Sequence, residues 1–356
     1  MRYLVFGAIL CAYTLLAQSR PANSPSQPAD QPPAATKPQA GQNSDASQIR
    51  VQVNEVIVPV TVTDEKGRFV SDLDAKDFRI FDEGREQKIE FFTRERGQPV
   101  VVGFLVEQSN RMRMYWKTYQ DAIIDLISNL MPGDKKFSGY LITYSQDAEL
   151  QVNTTHDPEK LIDKVRKMKP GGGSALYDAI YMACTRRELV KGEPIEPRRV
   201  IVIVGDGHDN NSKYTLDQVI ELAQRNLVTI YCVDTVGFGF SVEDEKNLIR
   251  LAEETGGRVE YPLQGNYSDV SGYLSTPSDE GNYALKVGTG GYAAAIASGI
   301  FKAIANVTGE VTTQYIIRYV PDVGDAKPKD FRKIEVKVSL ANVKVRARKG
   351  YYPQAP

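Results

Sequence analysis

Glu107, Ser109 and Asp206 are of types that do chemistry when they converge. Two carboxylates and a hydroxyl can act as oxygen ligands for a hard cation, as hydrogen-bond acceptors, or as a nucleophile with its base. The sequence gives a reason to expect convergence. Glu107 and Ser109 directly follow the apolar run 100–106 (VVVGFLV), and Asp206 follows the apolar run 200–204 (VIVIV) by one residue. Short, β-branched, near-continuous apolar runs read as strands buried on both faces. In a doubly wound sheet with strand order 3-2-1-4-5-6, the first and fourth strands are neighbours, and ligands bind in the crevice at their C-terminal ends. Taking 100–106 as the first strand and 199–204 as the fourth puts Glu107, Ser109 and Asp206 on the lips of that crevice. Two other chemistries find little support. Ser109, His208 and Asp209 are the types of a hydrolytic relay, but Ser109 lacks the Gly-x-Ser-x-Gly elbow, and His208 reads more simply as an exposed loop residue. Residues 171–174 (GGGS) lack the Lys-Ser/Thr ending of a phosphate-binding loop and do not follow a strand.

The elements needed to hold such a crevice can be read along the chain. Tyr119, Ile123, Leu126, Ile127 and Leu130 share one helical face, stopped by Pro132 and Gly133. Strands follow at 137–144 and 148–152, then a helix at 157–169 with Pro158 at its start and another at 175–190. After the fourth strand come a helix from Thr215, a strand at 228–233, a helix at 242–255, a short strand at 258–261 and a last helix at about 292–307. Residues 265–291, rich in Gly, Ser, Asp and Tyr, read as a long loop. This alternation predicts an α/β domain over 96–311.

Both flanks are β in character. Val56, Val58, Val60 and Val62 alternate with other residues; Val51 and Val53 carry the opposite parity, so a bulge or break is expected near Asn54 and Glu55. Residues 78–81 and 88–91 read as a hairpin around Glu83 and Gly84. At the other end, Ile334, Val336, Val338 and Leu340, then Val343, Val345 and Ala347, alternate with Lys and Arg, which predicts a hairpin with a buried face and a solvated basic face. Neither flank buries its own apolar face. Joining 49–95 with 312–353 in one β-sandwich solves both problems and makes the α/β domain an insertion.

The ends and the composition bound the class. Met1 and Arg2, the 14-residue stretch 3–16 and Ala17 have the pattern of a secretory leader, too short for a comfortable membrane span of about 20 residues. Cys11 follows Leu10, a poor setting for a lipoprotein cysteine. Residues 18–48 hold six of the 19 prolines without apolar periodicity and read as a flexible tether. The expected location is therefore the periplasm, cell envelope or exterior, with the leader either cleaved after Ala17 or kept as an anchor. With 44 basic and 45 acidic residues, nothing favours nucleic acid as a partner. Cys184 and Cys232 fall in core elements and read as small apolar fillers. Two histidines exclude a histidine-rich metal centre.

The order of these elements resembles a von Willebrand factor type A (VWA) domain, and 49–353 resembles the secreted VWFA-related acidobacterial domain family. The resemblance rests on Val62-Thr63-Asp64 with Gly67, on Asp77-Phe78 ahead of a Glu-Gly turn, and on 171–178 ahead of a helix. It rests also on Gly205-Asp206-Gly207 with Asp209-Asn210, and on 315–321 before Gly350-Tyr351. It implies a metal-ion-dependent adhesion site: an Asp-x-Ser-x-Ser turn completed by a Thr and a later Asp. Here those positions hold Glu107, Ser109, Arg111, Ser174 and Asp206. Ser109, Ser174, Asp206 and Glu107 can supply oxygen ligands, although the longer side chain of Glu107 moves its carboxylate. Arg111 has no acceptor, and its guanidinium could take the metal's place against Glu107 or Asp206. Mg²⁺ is the one cofactor the resemblance admits, and weak binding or none is expected of this degenerate site. The implied function is a non-enzymatic module that binds a protein partner, with a cell-envelope hydrolase using Ser109 or the 206–209 loop as the alternative.

Overall fold

A computed structural model of the chain describes residues 55–94, 99–113, 116–190, 197–235, 242–262, 298–322, 327 and 329–353. The leader, the tether, the parity change near Asn54 and the 265–291 loop lie outside the described residues. Strands β1 (Val56–Asp64), β2 (Phe78–Asp82), β3 (Arg85–Gln87) and β4 (Phe91–Thr93) come first. The α/β series follows: β5 (Val100–Glu107), α1 (Trp116–Leu130), β6 (Phe137–Tyr144), β7 (Ala148–Thr155), α2 (Pro158–Lys167), α3 (Leu176–Thr185), β8 (Arg198–Gly205), α4 (Leu216–Arg225), β9 (Thr229–Asp234), α5 (Val242–Thr255) and β10 (Val259–Glu260). Helix α6 covers 298–313, beyond the expected end near 307. Last come β11 (Tyr315–Tyr319), β12 (Arg332–Val338), β13 (Val343–Ala347) and β14 (Gly350–Tyr351).

The central sheet has the order β10-β9-β8-β5-β6-β7, parallel except for β7 at one edge. This is the expected 3-2-1-4-5-6 order, with β5 and β8 side by side. Side chains of alternate parity on β5 enter different cores. Val100, Val102, Phe104 and Val106 pack with α1, α2 and α6, while Val101 and Leu105 pack with α3, α4 and α5. Gly103 is required between them, because a Cβ there would overlap the ring of Tyr140. Cys184 and Cys232 are buried free thiols in the second of these cores.

The flanking strands form two four-stranded sheets, β13-β1-β11-β4 and β14-β12-β2-β3. Their facing side chains share one core: Val56, Val58, Val60, Val62, Tyr315, Ile317 and Tyr319 from the first sheet meet Phe78, Ile80, Ile334 and Tyr351 from the second. The α/β series is thus inserted between strands of a sandwich. Three expectations need correcting. β12 and β13 do not pair with each other; β12 pairs with β2 and β13 with β1, so residues 339–342 cross from one sheet to the other. Likewise β2 turns at Glu83 and Gly84, both at positive φ, into β3, whereas the following segment joins β11 in the opposite sheet as β4. Third, the basic residues do not form one solvated face. Arg346 pairs at 2.7 Å with the fully buried Glu310 of α6, and Arg348 is buried, donating to the Leu227 carbonyl at 3.0 Å.

Candidate functional site

The register of the central sheet sets Val106 opposite Val204, so β5 and β8 deliver Glu107 and Asp206 side by side. Gly205 makes the approach possible: a Cβ there would overlap the Tyr144 hydroxyl and the Glu107 carboxylate. The backbone N–H of Asp206 donates to Glu107 Oε2 at 3.0 Å, and Ser109 Oγ donates to Glu107 Oε1 at 2.6 Å. Glu107, Ser109, Ser174 and Asp206 are all buried. Burial first, then the charge of Asp206, pushes the Glu107 carboxyl up to about 8, against the hydrogen bonds from Ser109 and Asp206 and the charge of Arg111.

Three loops are tied together around this pair. After β5, Ser109 opens a 3₁₀ turn, Asn110–Arg113, its Oγ accepting from the Arg111 N–H at 3.1 Å and its carbonyl from Met112 N–H at 3.2 Å. The 171–174 loop crosses beside it: Gly171 N–H donates to the Gln108 carbonyl at 2.7 Å and Asn110 N–H to the Gly172 carbonyl at 3.1 Å. Ser174 then ties this loop to the one after β8. Its N–H donates to Asn210 Oδ1 at 2.9 Å and its Oγ to the His208 carbonyl at 2.7 Å. Asp209 fixes the start of α3, accepting from Tyr177 N–H at 2.9 Å and Ser212 Oγ at 2.6 Å.

Arg111 reaches into the crevice. Its Nε donates to Asp206 Oδ2, and its Nη2 lies 3.6 Å from Asp244 Oδ2. Asp206 Oδ1 accepts from the His208 N–H at 2.9 Å. His208 is not the exposed loop residue expected from sequence; its ring Nδ1 lies 3.1 Å from Asp244 Oδ2 and it is partly buried. Asp244, in the first turns of α5, is the site residue that sequence reading missed. The available signal was its place at the start of the helix that follows strand β9, whose C-terminal end lies on the same side of the sheet as those of β5 and β8.

This β–α alternation, the 3-2-1-4-5-6 order and the crevice of strand-end carboxylates and serines are the frame on which a family match can be read. Residues 102–267 match the von Willebrand factor type A domain family. The inserted α/β unit is a von Willebrand factor type A domain. VWA domains commonly serve as protein-interaction or adhesion modules and often hold a metal at their adhesion site. An uncharacterized protein of Borreliella burgdorferi is 33% identical over 152 residues, which cover 36% of this chain and 42% of that protein. Among solved structures, an aerotolerance-related membrane protein from Bacteroides fragilis aligns at 20% identity with a TM-score of 0.37, over 45% of this chain and 90% of its own. Proximal thread matrix protein 1 from the mussel byssus, with zinc in its adhesion motif, aligns at 15% identity with a TM-score of 0.40, over 51% and 46%.

Whether this VWA domain's residues fit a metal depends on their free oxygens. Both Glu107 oxygens accept protein hydrogen bonds and both Asp206 oxygens face protein donors, one of them the Arg111 guanidinium; the Ser109 and Ser174 hydroxyls donate to protein oxygens and keep lone pairs. Among the described residues no group of three or more His, Cys, Asp or Glu side chains is disposed to hold a metal ion. As arranged, the VWA site does not fit a divalent cation. Nor does it assemble the hydrolytic relay: Ser109 bonds Glu107, His208 bonds Asp244, and Asp209 caps α3. Among the described residues no helix is long and apolar enough to cross a membrane.

Proposed function

We propose that this chain is an exported, non-enzymatic protein-binding module that docks a protein partner on the rim at the C-terminal edge of its central sheet. The observation that supports this most directly is the rim itself. Loops from β5, from 171–174 and from β8 are cross-braced by side-chain-to-backbone hydrogen bonds, which gives a polar surface whose shape is set before a partner arrives. Asn110 and Arg113 stand exposed on it. The same proposal places a leader at 1–17, a tether at 18–48, and the VWA domain at 96–311 between sandwich segments 49–95 and 312–353. The partner is a protein of the envelope or exterior, with no nucleic acid and no membrane span beyond the leader.

The rim is tested by capture. Cross-linking of the tagged chain in envelope fractions should retain a protein that is lost with Asn110→Glu and Arg113→Glu together, while the melting temperature stays within about 2 °C, as expected for exposed substitutions. Capture unaffected by both changes would move the contact face elsewhere. Turnover in an unbiased hydrolase screen, abolished by Ser109→Ala, would overturn the non-enzymatic reading. Export is tested separately by fusing 1–48 to a reporter active only outside the cytoplasm. Activity is expected; a silent, intact fusion would remove that part of the proposal.

A further inference from the structure

We infer that Arg111 is the resident cation of the site, standing where a VWA domain's divalent ion would sit, so that the site is complete without metal. The inference deepens the proposed function and rests on the rim being its contact face: partner contact there is then made without a bridging metal.

The argument is one of competition for the same oxygens. Asp206 and Glu107 are nearly fully buried, and their carboxyl groups lie beside each other at the ends of adjacent strands. A buried carboxylate such as that of Asp206 requires a cation or several donors. A guanidinium is planar and always charged, and it presents its donors in a fixed fork. Here that fork spans two elements, meeting Asp206 after β8 and Asp244 on α5. Mg²⁺ would need several oxygens at about 2.0–2.1 Å in near-octahedral array. It cannot share Asp206 Oδ2 with the Arg111 Nε, and Asp206 Oδ1 is held by the His208 N–H.

Arg111 is also anchored at its base. Ser109 binds its N–H, and the next residue, Met112, is buried, with Thr235 Oγ1 at 3.5 Å from its sulfur. The turn that would offer a second serine ligand in the family pattern therefore delivers a positive charge instead, at a fixed position. Ser109 completes the arrangement by spending its proton on Glu107.

The test uses the full chain and Mg²⁺ or Mn²⁺ alone as probes, by calorimetric titration and by thermal melts in EDTA and in about 10 mM metal. The wild type should show no binding heat and the same melting temperature in both conditions. Arg111→Ser should melt lower in EDTA and recover by several degrees with metal, because a ligand at about a hundred times its Kd strongly favours the folded state. Glu107→Asp with Arg111→Ser should bind metal more tightly still. Arg111→Lys keeps a cation and should remain metal-indifferent, which preserves the test if the serine variant fails to fold. Saturable metal binding by the wild type with a matching rise in melting temperature would overturn the inference. So would an Arg111→Ser protein as stable as the wild type in EDTA. Both readouts are independent of partner capture, so failure here leaves the docking rim standing, and failed capture leaves Arg111 as the cation.

Discussion

Replacing Asp82 by alanine is expected to destabilise the protein by about 3–5 kcal/mol, the usual cost of removing one partner from a buried ion pair. Asp82 is fully buried in the sandwich core at the end of β2. One oxygen accepts from Arg332, whose Nε and Nη2 lie 2.9 and 2.8 Å away; the other accepts from the hydroxyls of Tyr319 and Tyr351, each at 2.9 Å. Both phenols are pushed up, by burial first and then by Asp82, so they remain donors across the working pH range. The knot joins β2, β11, β12 and β14, strands from both sheets, which makes alanine costly in three ways at once. It strands a largely buried guanidinium, orphans two hydroxyls and leaves a small cavity. Asn at this position keeps acceptor shape without charge and should cost less than Ala. Urea denaturation of the two variants beside the wild type measures both losses. A loss under about 1 kcal/mol for alanine would show that the tyrosines and Arg332 find other partners.

Deleting 330–356 is expected to do more: the chain should fail to accumulate in soluble form. The deletion removes β13 from one sheet and β12 and β14 from the other, leaving β1 and β2 as long exposed edges. Val56, Val58, Val60 and Val62, now buried, would lose the layer that covers them. At roughly 25 cal/mol per Å² of apolar surface returned to water, four valines and their partners outweigh the net stability of a typical domain. Unpaired apolar edges then template aggregation. A soluble truncation, with amide protection over 56–62 unchanged in hydrogen exchange, would mean that β1 does not depend on the C-terminal strands.

Much of the α/β frame was legible in the sequence because strands buried on both faces leave continuous apolar runs, and 100–106 and 200–204 have no other ready explanation. The residues that end those strands, Glu107 and Asp206, inherit that legibility. The sandwich was less readable. Alternation along 334–347 identifies a buried face and says nothing about which strand lies alongside, and a four-residue connection suits a tight hairpin as well as a crossing between sheets. Glu310 shows the same limit: its two arginine partners, Arg346 and Arg258, come from β13 and from just before β10, a pairing only the folded chain defines. Asp244 and His208 also meet across 36 residues, and neither carries a local motif that announces the other.

The position of β1 has a consequence for the order in which the protein can be made. β1 precedes the inserted series in the chain, yet both strands that flank it, β11 and β13, follow that series. Its register with β11 joins Val56 to Tyr319 and Val60 to Tyr315, so every one of these pairs waits for the whole inserted domain to emerge. Long-range strand pairing is slow because chain closure must precede any gain from contact. The α/β domain shortens that search, since folding it brings 94 and 315 together, where β4 and β11 pair. Until then, a valine-rich strand travels without neighbours. Under the proposed export, that strand must stay solvated or shielded throughout transit, which is the task of a holding chaperone.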